Sequence, residues 1–136
     1  MKILDLLKNV SIDVNATCSN KDEAIDTLVS LMAKQGNLND QDVYKQGIYA
    51  REELSTTGIG EGIAIPHAQV AAVKAPGLAA MTVPNGVDYE AMDDEPSNLL
   101  FMIAAPNDGD VHLEVLSRLM TILMDEEFRL NLMNAK

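Results

Sequence analysis

Apolar and polar positions change their spacing several times along the chain, and each change marks an element. Ser11 to Val14 alternates weakly, as a short strand does. Asn20-Lys-Asp-Glu23 has the form of a helix start, and Ile25, Leu28, Val29 and Met32 follow at helical spacing until Gly36 ends the pattern. Asn39 is expected to cap a second helix bearing Val43, Tyr44, Gly47, Ile48 and Arg51. A Gly-rich turn then leads to a short apolar strand, Ile63 to Ile65, that stops at Pro66-His67. Gly77 to Val83 reads as a strand, Pro84-Asn85-Gly86 as a turn, and Val87 to Tyr89 as a return or continuation. Leu99 to Ala105 is an unbroken apolar run between prolines, the pattern of a strand buried on both faces. Asn107-Asp-Gly-Asp110 opens a helix whose stripe is Leu113, Leu116, Leu119, Met120 and Leu123, and Asp125 begins a last short helix with Phe128 and Leu132 inward. Helices interleave with strands, which predicts one α/β domain with a mixed β-sheet flanked by helices on both sides.

Composition narrows the class of function. A length of 136 residues with 47% apolar content suits a single domain with its own core. No run approaches the roughly 18 apolar residues of a membrane span, and Asp5 interrupts the apolar start, which argues against a signal peptide. The lone cysteine, Cys18, cannot form an internal disulfide, as expected in a reducing, cytoplasmic setting. A formal charge of -11 opposes nucleic-acid binding and favours a basic protein partner. In so acidic a chain, a bound phosphate needs local cations, and the only arginines are Arg51, Arg118 and Arg129.

Several motifs fall away on chemistry. Gly58-Ile-Gly60-Glu61-Gly62 has the wrong spacing for a dinucleotide loop, and it follows a helix instead of opening one. Two histidines without a Cys pair make a poor metal set. His112-Leu-Glu114 lacks the Pro-Cys-x-x-Cys of a zinc deaminase. Cys18 reads as a small packing residue.

His67 remains. Pro66 stiffens its mount by fixing φ and driving Ile65 into extended geometry. A neutral imidazole is nucleophilic at cytosolic pH, and phosphoryl transfer asks mainly for positioning and charge neutralisation. Arg51 can supply a bidentate clamp. His112, in the first turn of its helix, sits where free N–H groups attract anions, although a histidine on an apolar face is also an ordinary core residue. Glu53 or Glu61 can orient a ring or stand solvated; Thr56 and Thr57 can offer hydroxyls or only form the turn.

Arg51-Glu-Glu-Leu-Ser-Thr-Thr-Gly-Ile-Gly-Glu-Gly-Ile-Ala-Ile-Pro-His67-Ala, followed by Val73-Lys-Ala-Pro, resembles the fructose/mannitol-type (type 2) enzyme IIA domain of the bacterial phosphoenolpyruvate-dependent sugar phosphotransferase system. Similarity continues through Gly86-Val-Asp-Tyr89, Phe101-Met-Ile-Ala-Ala-Pro106, His112-Leu-Glu-Val-Leu-Ser-Arg-Leu119 and Met124-Asp-Glu-Glu-Phe-Arg129, covering nearly the whole chain. The resemblance implies that His67 is phosphorylated at Nε2 by the phosphocarrier protein HPr and passes phosphate to a cysteine of an enzyme IIB domain. It implies that Arg51 and His112 flank the phosphohistidine, with no metal or nucleotide, phosphoenolpyruvate being the ultimate donor. Tyr89 and the stretch from Phe101 to Pro106 are closer to fructose-type members. A regulatory, nitrogen-related enzyme IIA module, in which phosphorylation controls a partner, is the alternative. Family domains run on into a further C-terminal helix, so the chain is expected to be part of a longer polypeptide, such as a fusion to enzyme IIB and IIC domains.

Overall fold

The computed structural model describes residues 7–13, 16–18, 20–36, 38–54, 56–60, 62–69, 73, 77–90, 92–93, 95–105, 111–123, 125 and 127. Strands β1 (Leu7–Asp13), β2 (Gly58–Gly60), β3 (Ile63–Ala64), β4 (His67–Gln69), β5 (Gly77–Val87) and β6 (Ser97–Ala105) form one sheet, joined by helices α1 (Lys21–Ala33), α2 (Gln41–Leu54) and α3 (Val111–Leu123). The strand order is β1-β5-β6-β3-β2, with β4 also paired to β6. β1 runs parallel to β5, and β3 and β4 run parallel to β6. The β5–β6 and β2–β3 pairs are antiparallel, so the sheet is mixed as expected.

The apolar run of β6 is buried on both faces because successive side chains point to opposite sides. Leu100, Met102 and Ala104 join the α1/α2 layer with Ile25, Leu28, Met32, Tyr44 and Ile48. Leu99, Phe101 and Ile103 face the other way and pack with Leu119 and Leu123 of α3. Helices therefore cover both faces of the sheet. Among the described residues, no helix is long and apolar enough to cross a membrane.

The helix starts follow their caps. Asn20 Oδ1 accepts the Glu23 N–H at 2.8 Å and begins α1. At α2 the cap is Asp40, not Asn39: Asp40 Oδ1 accepts from the N–H groups of Asp42 and Val43 at 3.1 and 3.2 Å. A carboxylate one residue later competes better for the first-turn donors.

Two other expectations are corrected. Pro84-Asn85-Gly86 does not turn the chain, because β5 continues to Val87 through a register shift between Thr82 and Val87. Gly86 takes φ +80, so the extra residues are absorbed as an irregularity within the strand. The Gly-rich stretch is likewise a strand, β2, and the reversal falls at Gly62, whose φ is +79. The helix opening at Asn107–Asp110 and the short helix through Phe128 and Leu132 lie outside the described residues, as does Glu61.

Candidate active site

His67 does not end a strand. Pro66 interrupts the edge, and His67 begins β4, opposite Ile103 of β6. β3 and β4 thus lie in series along one side of β6, with Ile63 and Ala64 opposite Leu99 and Leu100. The break follows from Pro66, which has no N–H to give a ladder. Its carbonyl still accepts the Ile103 N–H at 3.0 Å, and the Ile65 N–H donates to the Thr57 carbonyl at 3.0 Å. Strand β6 on one side and Thr57 on the other therefore clamp the residues before the imidazole.

The ring itself is oriented by a short-range bond. His67 Nδ1 lies 2.8 Å from the Ile65 carbonyl oxygen. A carbonyl can only accept, so Nδ1 carries a proton, and in the neutral ring the lone pair is at Nε2. The side chain is half-buried. In register with Ile103, it projects to the α3 side of the sheet.

Helix α2 carries Arg51 and packs against β4. Tyr44, Ile48 and Arg51 fall at i, i+4 and i+7, one stripe of a helix, and the first two are fully buried against the sheet. Tyr44 donates its hydroxyl to the Ile103 carbonyl at 2.9 Å, fixing α2 over the strand partner of His67. Arg51 is half-buried in the last helical turn, where a cation complements the macrodipole. β4 contacts both α2 and α3. His112 is the second residue of α3. Its side chain lies outside the described residues. His67, Arg51 and His112 thus lie on β4 and on the two helices that contact it, α2 and α3.

The supporting candidates divide. Glu53 is exposed on α2. The Thr56 hydroxyl contacts the Tyr89 carbonyl at 3.4 Å and accepts the Gly58 N–H at 3.1 Å. Thr57 is buried and donates its hydroxyl to Glu52 Oε1. Both threonines therefore spend their side chains on building the segment between α2 and β2.

Glu52 is the carboxylate that sequence reasoning passed over in favour of its neighbour. Its side chain is only 5% exposed, which means that its charge must be matched inside the protein. Oε2 accepts the Thr57 N–H at 2.9 Å and faces Lys21 Nζ at 3.3 Å. Oε1 accepts the Thr57 hydroxyl and, at 2.7 Å, that of Tyr89. Lys21 also lies over the Tyr89 ring, 4.9 Å from its centroid. Burial, with the negative charge of Glu52 beside it, pushes the Tyr89 phenol well above its ordinary pKa. The missed signal was periodicity: Glu52 stands four residues after Ile48, on the inward stripe, whereas Glu53 is rotated outward.

Comparison with known proteins agrees with this architecture. The family model described as "Phosphoenolpyruvate-dependent sugar phosphotransferase system, EIIA 2" matches residues 5–136. The PTS system fructose-specific EIIABC component of Bacillus subtilis is 48% identical over 137 residues, covering 100% of this chain. The chain spans 22% of that relative's length. The nitrogen regulatory protein IIA-Ntr of Neisseria meningitidis superposes with a TM-score of 0.89 at 28% identity, over 97% of this chain and 90% of its own. The enzyme IIA of mannitol, solved in complex with phosphorylated enzyme IIB from Escherichia coli, gives 0.82 at 29% identity, over 96% and 92%. With a family model spanning nearly its whole length, a half-identical relative and a shared mixed sheet, this chain belongs to the EIIA type 2 family of the phosphoenolpyruvate-dependent sugar phosphotransferase system, a family of domains that transfer phosphate through histidine.

Proposed function

We propose that His67 is the phosphoryl carrier of this domain, taking phosphate from phospho-HPr and passing it to a cysteine of an enzyme IIB domain, in fructose-type uptake. The supporting observation is the 2.8 Å contact between His67 Nδ1 and the Ile65 carbonyl, which leaves the nucleophilic lone pair at Nε2. In the first step Nε2 attacks phosphorus, the N–P bond forms, and the bond to HPr breaks with its electron pair staying on HPr. The proton on Nδ1 makes the phosphorylated ring an imidazolium, a better leaving group than a neutral ring. In the second step a thiolate sulfur attacks phosphorus and the ring regains its lone pair at Nε2. Arg51 and His112 neutralise the equatorial oxygens as charge spreads over them. Phosphate travels covalently on His67, so the reading calls for no metal or nucleotide cofactor. The acidic surface, net -11, favours a basic HPr face.

Incubation with phosphoenolpyruvate, enzyme I and HPr tests this reading. The wild type is expected to gain acid-labile phosphate and His67→Gln none; phosphate on the variant would overturn the assignment. A second reading, a regulatory module whose phosphorylation controls a partner, is favoured by the TM-score of 0.89 to a nitrogen regulatory protein. Transfer to a fructose-type enzyme IIB separates the two. Normal phosphorylation by HPr with no onward transfer would select regulation.

A further inference from the structure

We propose that Glu52 is a positioning residue for the His67 imidazole, acting through Thr57 and Ile65. The inference rests on the reading of His67 as the phosphoryl carrier.

The atoms form a continuous chain. Lys21 and Tyr89 hold the Glu52 carboxylate, and Glu52 holds Thr57 twice, at its N–H and at its hydroxyl. The Thr57 carbonyl accepts the Ile65 N–H, and the Ile65 carbonyl accepts from His67 Nδ1. Each link is a hydrogen bond, apart from the ion pair between Lys21 and Glu52. Pro66 makes the chain matter. The peptide plane that carries the Ile65 carbonyl has no N–H on its proline side, so no ladder bond sets its tilt. Its setting depends on Ile65, and Ile65 is anchored at Thr57.

Stability alone explains the carboxylate poorly. A buried ion pair is often matched or exceeded in stability by apolar side chains of similar volume. An apolar side chain cannot orient an amide and a hydroxyl together, and Glu52 does both. Its place immediately after Arg51 adds a second consequence, since pinning Glu52 also fixes the helix end from which the guanidinium extends. The carboxylate spends its oxygens on Lys21, Thr57 and Tyr89, so its proposed effect on the imidazole is on geometry.

The test compares Glu52→Gln, Thr57→Val and Thr57→Ser with the wild-type chain. Three quantities are measured: melting temperature, the His67 tautomer by long-range proton–nitrogen NMR, and phosphoryl transfer over a range of phospho-HPr concentrations. Removing an orienting partner is expected to lower kcat by about 10-fold or more in Glu52→Gln and Thr57→Val. KM for HPr should stay unchanged, and a proton at Nε2 should appear in the spectra. Thr57→Ser, which keeps the hydroxyl, should restore both rate and tautomer. Thr57→Val decides the matter if Glu52→Gln fails to fold, because it leaves the carboxylate paired with Lys21 and Tyr89. A folded Thr57→Val with wild-type tautomer and kcat, even at a lower melting temperature, overturns the proposal. Should the wild type take no phosphate at all, the carrier reading fails and the tautomer measurement alone judges Glu52.

Discussion

The hydroxyl of Tyr44 reaches across the domain to the carbonyl of Ile103, 2.9 Å away, and Ile103 is the strand partner of His67. One hydrogen bond thereby joins the helix that carries Arg51 to the strand that fixes the register of the imidazole. Tyr44→Phe keeps the ring in its buried place and removes only the donor. It is expected to cost about 1–2 kcal/mol of stability, read from denaturant unfolding, and to slow phosphoryl transfer. Wild-type values for both would remove Tyr44 from the account of the site.

Arg51→Ala removes a half-buried guanidinium from the last turn of α2 without opening the core. Loss of one charge-assisted clamp should raise the barrier to transfer by about 2–4 kcal/mol, seen as a fall in kcat with the circular dichroism spectrum intact. Arg51→Lys should recover only part of the rate, because an ammonium cannot hold two oxygens in a plane. Unchanged kinetics in the alanine variant would refute the clamp.

Gly86 sits at φ +80 inside β5, and a Cβ there would lie 2.8 Å from Pro96 Cβ. Gly86→Ala therefore meets two penalties, a left-handed backbone and a clash with a stiff ring. A loss of about 1–3 kcal/mol is expected from the backbone alone, measurable as a lower melting temperature. An alanine variant as stable as the wild type would show that the strand irregularity can relax.

Alkaline pH offers a check on the buried phenols. Tyr44 and Tyr89 are fully buried, and burial raises both pKa values well above the ordinary 10.0. Above pH 10 the unfolded chain loses these protons while the folded chain keeps them, so stability falls as pH rises. The expected slope is about 1.4 kcal/mol per pH unit for each tyrosine. Tyr89→Phe should flatten the curve by one share. Tyrosinate absorbance that grows near pH 10 in a chain still fully folded, in proportion to all three tyrosines, would contradict it.

The elements were legible where their pattern was long. Leu99 to Ala105 reads as a two-sided buried strand because an apolar run admits no exposed face, and α1 reads from its cap and stripe. Pro84-Asn85-Gly86 misled because local turn chemistry was outweighed by pairing on either side with β6, which carries the strand through an irregularity. Glu53 was chosen over Glu52 because both are carboxylates near the histidine, and only helical phase distinguishes them. Phase was available from Tyr44 and Ile48, whose stripe leads to Arg51 and Glu52.

Sequence alone determined the chemical inventory and its local mounts. A nucleophilic ring follows a proline, an arginine ends a helix, and a second histidine opens another helix, all in a chain too acidic to hold phosphate casually. These are properties of residues and near neighbours, and residues in order suffice to state them. The tertiary structure decided which atoms face one another: that Nδ1 is tied to Ile65, that the Thr57 side chain is bound by Glu52, and that Tyr44 ties α2 to the partner of His67. Such pairings join positions as far apart as 44 and 103, and they are settled only when two layers of helices close on one sheet and bring distant polar groups together out of water.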